Sequence, residues 1–277
     1  MAACCAGVAA GSAAPAGSFR SVDPVITSVY PVAHPRGLLV TTGGWAYCLQ
    51  VQSLARVEGY TLLCGRYSSD GYTGPGLRPQ RHLDWGNPSY LASFARSITA
   101  LHRRVGGSLV LIGVSYSGYG VAVLASQHPE LRPTRLIVID SFLDLVARRS
   151  RLPATHETAR EIDAETGGSP TALAKRSVSP EGLAALLRSG TRLTVIWSVS
   201  AEEKRYFNGA TCDRTANAAT IAATAQLLDR PITVWVTQSR HGQDLWHWGK
   251  RIMDGQSPGL PVVIPASGEI PVTAICA

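Results

Sequence analysis

Apolar residues along this chain fall into short continuous blocks, separated by stretches in which they recur every three or four positions. The blocks are "GLLVTTGG" (37–44), "YTLLCGRY" (60–67), "SLVLIGVS" (108–115), "RLIVIDS" (135–141), "RLTVIWS" (192–198) and "PITVWVT" (231–237). Each has the length of a strand and is apolar at consecutive positions, the pattern of a strand buried on both faces of a parallel sheet. "PVITSVYPV" (24–32) predicts an earlier strand. Helices are expected over "LQVQSLARVEG" (49–59), "YGVAVLASQHP" (119–129) and "ANAATIAATAQLLDR" (216–230). A further helix opens at Asn87-Pro88, with Asn as N-cap and Pro at N1, and carries Tyr90, Leu91, Phe94, Ile98 and Leu101 at helical spacing. Strands alternating with helices predict an α/β fold, a mostly parallel central sheet with helices on both faces. Residues 145–190 break the rhythm with charges, prolines and helical fragments, and predict a small cap insertion over the carboxyl edge of the sheet.

In an open parallel sheet ligands bind beyond the carboxyl ends of the strands. The residues just past those ends are Gly43-Gly44-Trp45, Asp70-Gly71, Ser115, Asp140, Glu202-Glu203 and His241, so a nucleophile, a base and several acids sit where chemistry is expected. Ser115 closes an apolar strand and is followed at once by a small-residue helix. A nucleophile on so sharp a turn needs small neighbours two positions either side, and Gly113 and Ser117 supply them. Ser117 is the rival nucleophile, disfavoured by bulky Tyr119 two positions on, and a plain capping turn is the reading without chemistry.

The run Gly113-Val114-Ser115-Tyr116-Ser117-Gly118 resembles the G-x-S-x-G signature of the α/β-hydrolase superfamily, departing from it at Ser117. The resemblance spans about residues 24–260 and implies an α/β-hydrolase fold with a serine–histidine–acid site. In that family the base follows the last strand, which points to His241 in "TQSRHGQDLWHW"; His247 is the competitor, in a setting suited to helix packing. Asp140 as the acid resembles the thioesterase branch, in which the acid follows the strand after the nucleophile helix. The more common family position, one strand later, offers Glu202 or Glu203 in "WSVSAEEKRYF", and Asp144 and Asp213 are further alternatives. One oxyanion donor is expected from the backbone of Tyr116 and the other from Gly44 or Trp45 in "TTGGWAY", where the family often has His-Gly. The resemblance therefore implies a serine hydrolase that cleaves an ester or thioester through an acyl-enzyme. The alternative, which the departures at Ser117 and Thr42 leave open, is a catalytically inactive binding protein on the same fold.

Composition adds limits. The chain has 277 residues, 45% hydrophobic and 16% charged, enough for one sizeable core, and 21–277 reads as a single domain after a tail over 1–20. The net charge of +7 is scattered along the chain, whereas nucleic-acid binders gather such charge on one face. No nucleic acid is expected as partner; the expected partner is a small-molecule acyl substrate. No apolar run reaches the roughly 20 residues of a membrane span. Neither a metal cluster nor a nucleotide fingerprint is visible, so no cofactor or metal is expected, and the oligomeric state stays open. "MAACCAGVAAGSAAPAGS" is similar to the end of a secretory signal or to a lipoprotein's acylated cysteine region, with a truncated or misplaced start. Beyond that tail, Cys48, Cys64, Cys212 and Cys276 suggest two disulfides, Cys212–Cys276 and Cys48–Cys64 among three possible pairings, and with them an exported protein.

Overall fold

The computed structural model describes residues 27–43, 45–65, 83–198, 214–256, 259–271 and 275. The expected strands become β1 (Thr27–Tyr30), β2 (Gly37–Thr41), β3 (Thr61–Gly65), β4 (Ser108–Val114), β5 (Arg135–Ile139), β6 (Arg192–Ser198) and β7 (Ile232–Thr237), and a strand not expected from the sequence, β8 (Leu260–Ile264), follows them. They form one sheet in the order β1-β3-β2-β4-β5-β6-β7-β8. β1 and β8 run antiparallel at the two edges, and the six strands between them are parallel.

Helices α1 (Trp45–Val57), α2 (Pro88–Val105), α3 (Tyr116–Gln127), α4 (Leu145–Ser150), α5 (Glu157–Thr166), α6 (Pro170–Lys175), α7 (Pro180–Arg188), α8 (Arg214–Leu228) and α9 (Asp244–Met253) connect the strands. The apolar blocks are continuous because successive residues serve two different cores. Leu109, Leu111, Leu136 and Val138 pack into a layer with residues of α2, α3, α7 and α8. Val110, Ile112, Ile137 and Ile139 pack into the opposite layer with α1 and α9. Each such buried side chain contributes about 1.5–3 kcal/mol.

Asn87 caps α2 as expected, its side-chain oxygen accepting from the Ser89 amide at 2.9 Å, and the five apolar residues of that helix are buried. Three expectations need correction. α7 is not part of a cap. It lies against α3 and α8 as a sheet-flanking helix, and a Cβ at Gly182 would lie 1.8 Å from the Ser126 carbonyl oxygen, so only glycine permits the crossing. The insertion is therefore the shorter α4–α6 segment, tied together by the two hydrogen bonds from Arg149 to the Asp163 carboxylate. α1 begins at Trp45, four residues before its expected start.

The third correction concerns the cysteines. Cys48 is a free thiol and no bridge joins it to Cys64. Both are buried as small apolar residues, beside Leu39, Leu62 and Val110. Cys212, Cys276 and residues 1–20 lie outside the described residues, and so does Asp70-Gly71. No helix among the described residues is long and apolar enough to cross a membrane.

Candidate active site

Ser115 sits between the last residue of β4 and the first of α3, at φ 53° and ψ −120°. That is left-handed backbone, costly for any residue with a Cβ and common at functional turns. The turn is held shut from several sides. The Ser115 amide donates to the Ile139 carbonyl at 2.7 Å, joining the turn to the end of β5. A Cβ at Gly113 would lie 2.3 Å from the Ser117 carbonyl oxygen, and one at Gly118 2.8 Å from Ser141 Cβ. Gly113 is thus required by close backbone approach, and Gly118 by the Ser141 side chain packed on it.

Ser117 is not available as the nucleophile. It is 1% exposed, its hydroxyl donates to the Val114 carbonyl at 3.0 Å, and the same oxygen accepts from the Val114 amide at 2.8 Å. Its departure from glycine is therefore accommodated by a local clamp that closes the turn. Ser115 is different. It stands at the N-cap position of α3, yet its side chain makes no capping hydrogen bond. Its hydroxyl bonds neither the helix nor any other described residue, His241 included.

Asp140 occupies the corresponding turn at the end of β5, also with positive φ, at 49°. Its amide donates to the Ile196 carbonyl at 2.9 Å. Three donors surround the carboxylate: the Ser198 amide at 2.6 Å, the Ser198 hydroxyl at 2.8 Å and the Gly242 amide at 3.0 Å. Burial pushes this carboxyl above the usual carboxylate range, while the Gly242 amide, the neighbouring His241 and both Ser198 donors hold it down.

His241 is brought to this rim by the turn between β7 and α9. Gly242, with φ 74°, places its amide on Asp140 and its Cα beside Val114, so that a Cβ there would be 3.4 Å from Val114 Cγ1. Ser115, Asp140 and His241 therefore lie at the carboxyl ends of β4, β5 and β7, on one edge of the sheet. His241 lies close enough for its charge to act on Asp140.

The loop after β2 reaches the same turn. The Thr42 hydroxyl donates to the Ser117 carbonyl at 3.3 Å, and a Cβ at Gly43 would lie 3.1 Å from Ser117 Cβ. Thr42 and Gly43 thus meet the first turn of α3, which begins with the Tyr116 amide, shortly before α1 starts at Trp45. The Tyr116 ring packs edge-on against Trp85, with centroids 4.7 Å apart, and Tyr119 stacks on Phe142 at 4.6 Å. Gly44, Glu202, Glu203 and Asp213 lie outside the described residues, as does the side chain of His247. Asp144 is engaged elsewhere, capping α4 through the Ala147 amide at 3.0 Å.

Two contributors escape a reading of the sequence. Ser198 ends an apolar strand like any other small residue, but in the fold it supplies two of the three donors to Asp140. Asn217, on α8, donates to the Ser141 carbonyl at 2.8 Å and accepts from the Leu143 amide at 2.6 Å, fixing the segment that follows Asp140. Among the described residues no group of three His, Cys, Asp or Glu side chains is placed to hold a metal ion.

No family model and no curated protein matches the chain. Solved structures do. The capsule O-acetyltransferase of Neisseria meningitidis serogroup A is similar over 82% of this chain and 90% of its own, with 11% identity and a TM-score of 0.51. An acetyl xylan esterase from Paenibacillus sp. R4 is similar over 83% of this chain and 78% of its own, with 14% identity and a TM-score of 0.50. Taken with the strand order and the turn that carries Ser115, these likenesses show that the chain has the α/β-hydrolase fold.

Proposed function

We propose that the protein is a serine hydrolase acting on a carboxylic ester or thioester. One observation carries this reading: a serine in left-handed backbone at the N-terminus of α3, its hydroxyl spent on no cap, at the edge that holds Asp140 and His241. A strained serine that does nothing for its helix is explained by chemistry better than by structure.

In this mechanism the Ser115 hydroxyl attacks the acyl carbonyl. Serine and imidazole come into hydrogen-bond contact as the substrate enters. His241 takes the Ser115 proton and returns it to the leaving oxygen or sulfur. Asp140 orients the imidazole and stabilises its cation, without itself accepting the proton. The Tyr116 amide and an amide at the start of α1 receive the developing oxyanion, an arrangement worth roughly 100- to 1000-fold in rate per donor. Water then releases the acid from Ser115. An acetyltransferase and an acetyl esterase among the similar structures make a short acyl group the first substrate to test.

The test is covalent labelling with a fluorophosphonate, followed by turnover of p-nitrophenyl esters of increasing acyl length. Labelling that Ser115→Ala abolishes, with ester turnover lost in parallel, is the expected result. A folded wild-type protein that takes no label and turns over no ester is instead a binding protein on this fold.

A further inference from the structure

The opposite edge of the sheet carries a feature that the acyl chemistry does not use. A cavity of about 460 Å³ opens at the amino-terminal ends of β5, β6 and β7, lined by Arg135, Arg192 and Arg230 and, among the described residues, by no carboxylate. Arg135 and Arg192 are register partners on adjacent parallel strands. Like charges set side by side across a ladder repel one another unless something between them carries the opposite sign.

Nothing among the described residues does so. Among the described residues the Arg135 and Arg230 guanidiniums bond only the Ile252 and Leu187 carbonyls, and the Arg192 side chain has no ion pair or hydrogen bond. The acids nearest in sequence, Asp229 and Asp254, do not line the cavity, and Asp254 is engaged by Lys250 at 3.1 Å.

The cavity floor is a stretch of sheet that α9 leaves uncovered. Thr194 and Thr233 contribute hydroxyls there, and Trp235 is half-buried beside them. Strand register puts Arg192 and Thr194 on the same face as Thr233 and Trp235. The site is thus polar and cationic at one end and aromatic at the other. Arg192 and Ser198 are the two ends of the seven-residue β6, six steps of about 3.3 Å or about 20 Å apart, so this is not an arm of the Ser115 site.

We propose that this cavity is a second ligand site, for a molecule carrying a phosphoryl group. Guanidiniums pair with phosphoryl oxygens in bidentate fashion and hold their charge at every physiological pH. Three of them suit a multiply charged oxyanion, and the volume leaves room for an organic body lying toward Trp235. The same phosphoryl chemistry could be presented by a soluble phosphate compound or by an anionic lipid headgroup, and the test separates the two.

Pyrophosphate binding is measured by isothermal titration calorimetry on the wild-type protein, Arg192→Gln, Arg230→Gln and the control Arg56→Gln. Arg56 is exposed on the last turn of α1 and removes the same charge without touching the cavity. Flotation with phosphatidate-containing vesicles runs in parallel on the same four proteins. Saturable pyrophosphate binding, weakened about 10- to 100-fold by Arg192→Gln or Arg230→Gln and unchanged by Arg56→Gln, supports a soluble phosphate ligand. Flotation lost in the same two variants, without pyrophosphate binding, supports a headgroup. Absence of both, or equal loss in the Arg56→Gln control, overturns the proposal. Fluorophosphonate labelling at Ser115 reports on the other edge of the sheet, so neither result decides the other.

Discussion

Replacing Ser115 by alanine and by glycine distinguishes a nucleophile from a helix cap without any substrate. A serine that caps its helix costs about 1 kcal/mol when changed to alanine. The Ser115 hydroxyl makes no such bond, so Ser115→Ala is expected to stay within about 0.5 kcal/mol of wild type. Glycine tests the backbone. A residue with a Cβ in left-handed backbone stores roughly 1–3 kcal/mol, which glycine releases. Against this stands the extra freedom glycine has in the unfolded chain, about 0.5–1 kcal/mol. The balance is a gain of about 1 kcal/mol for Ser115→Gly over Ser115→Ala, or some 2–4 °C in Tm for a chain of this size. Urea denaturation of the three proteins, followed by far-UV circular dichroism, measures both differences. If alanine costs 1 kcal/mol or more, the hydroxyl is structural. If glycine is no more stable than alanine, the turn is not strained, and the reasoning that singles out Ser115 fails.

Asp140→Asn is expected to lower kcat on the order of 10³- to 10⁴-fold in ester turnover, and a loss under tenfold would remove Asp140 as the acid. The same variant has a stability signature. The Asp140 carboxyl is raised by burial, so the folded state loses stability as pH climbs from the ordinary aspartate value through the raised one, and asparagine is spared this. The stability of Asp140→Asn relative to wild type is therefore expected to grow from pH 3 to pH 7, and a flat difference in urea titrations contradicts the burial argument. Ser198→Ala removes one charge-assisted donor and is expected to cost about tenfold in kcat with an intact fold; no change in turnover would mean that the two remaining donors hold Asp140 alone. Gly113→Ala forces a Cβ within 2.3 Å of a backbone oxygen, and is expected to lose labelling together with at least about 1–3 kcal/mol of stability by denaturant titration.

What the sequence makes legible follows from how far each signal travels along the chain. Buried parallel strands announce themselves because both faces must be apolar, and β4, β5 and β6 lie where their blocks lie. Asn87-Pro88 is a local cap and marks α2 correctly. β8 is an edge strand with Leu260 and Val263 largely exposed, and Pro261 inside its apolar run argues against a strand of the sheet interior. α1 starts earlier than expected because Gly43-Gly44 reads as a loop that consumes the following residues, whereas the helix begins as soon as that loop has turned. Cys48 and Cys64 show the reverse error: a buried thiol and a half-cystine look alike until the packing around them is known. The Ser198 and Gly242 donors are invisible for a simpler reason. They meet Asp140 across 58 and 102 residues of chain, and no local rule reaches that far.

The two backbone bonds that join the Ser115 turn to Ile139 and the Asp140 turn to Ile196 have a wider consequence for how such a protein can change. They make the offset between Ser115 and Asp140 a property of neighbouring ladders, fixed near the strand spacing of about 4.8 Å, and independent of the length of any connection. The α4–α6 insertion can therefore grow, shrink or be exchanged while Ser115 and Asp140 keep their alignment. Change in that segment leaves the two turns where the sheet puts them.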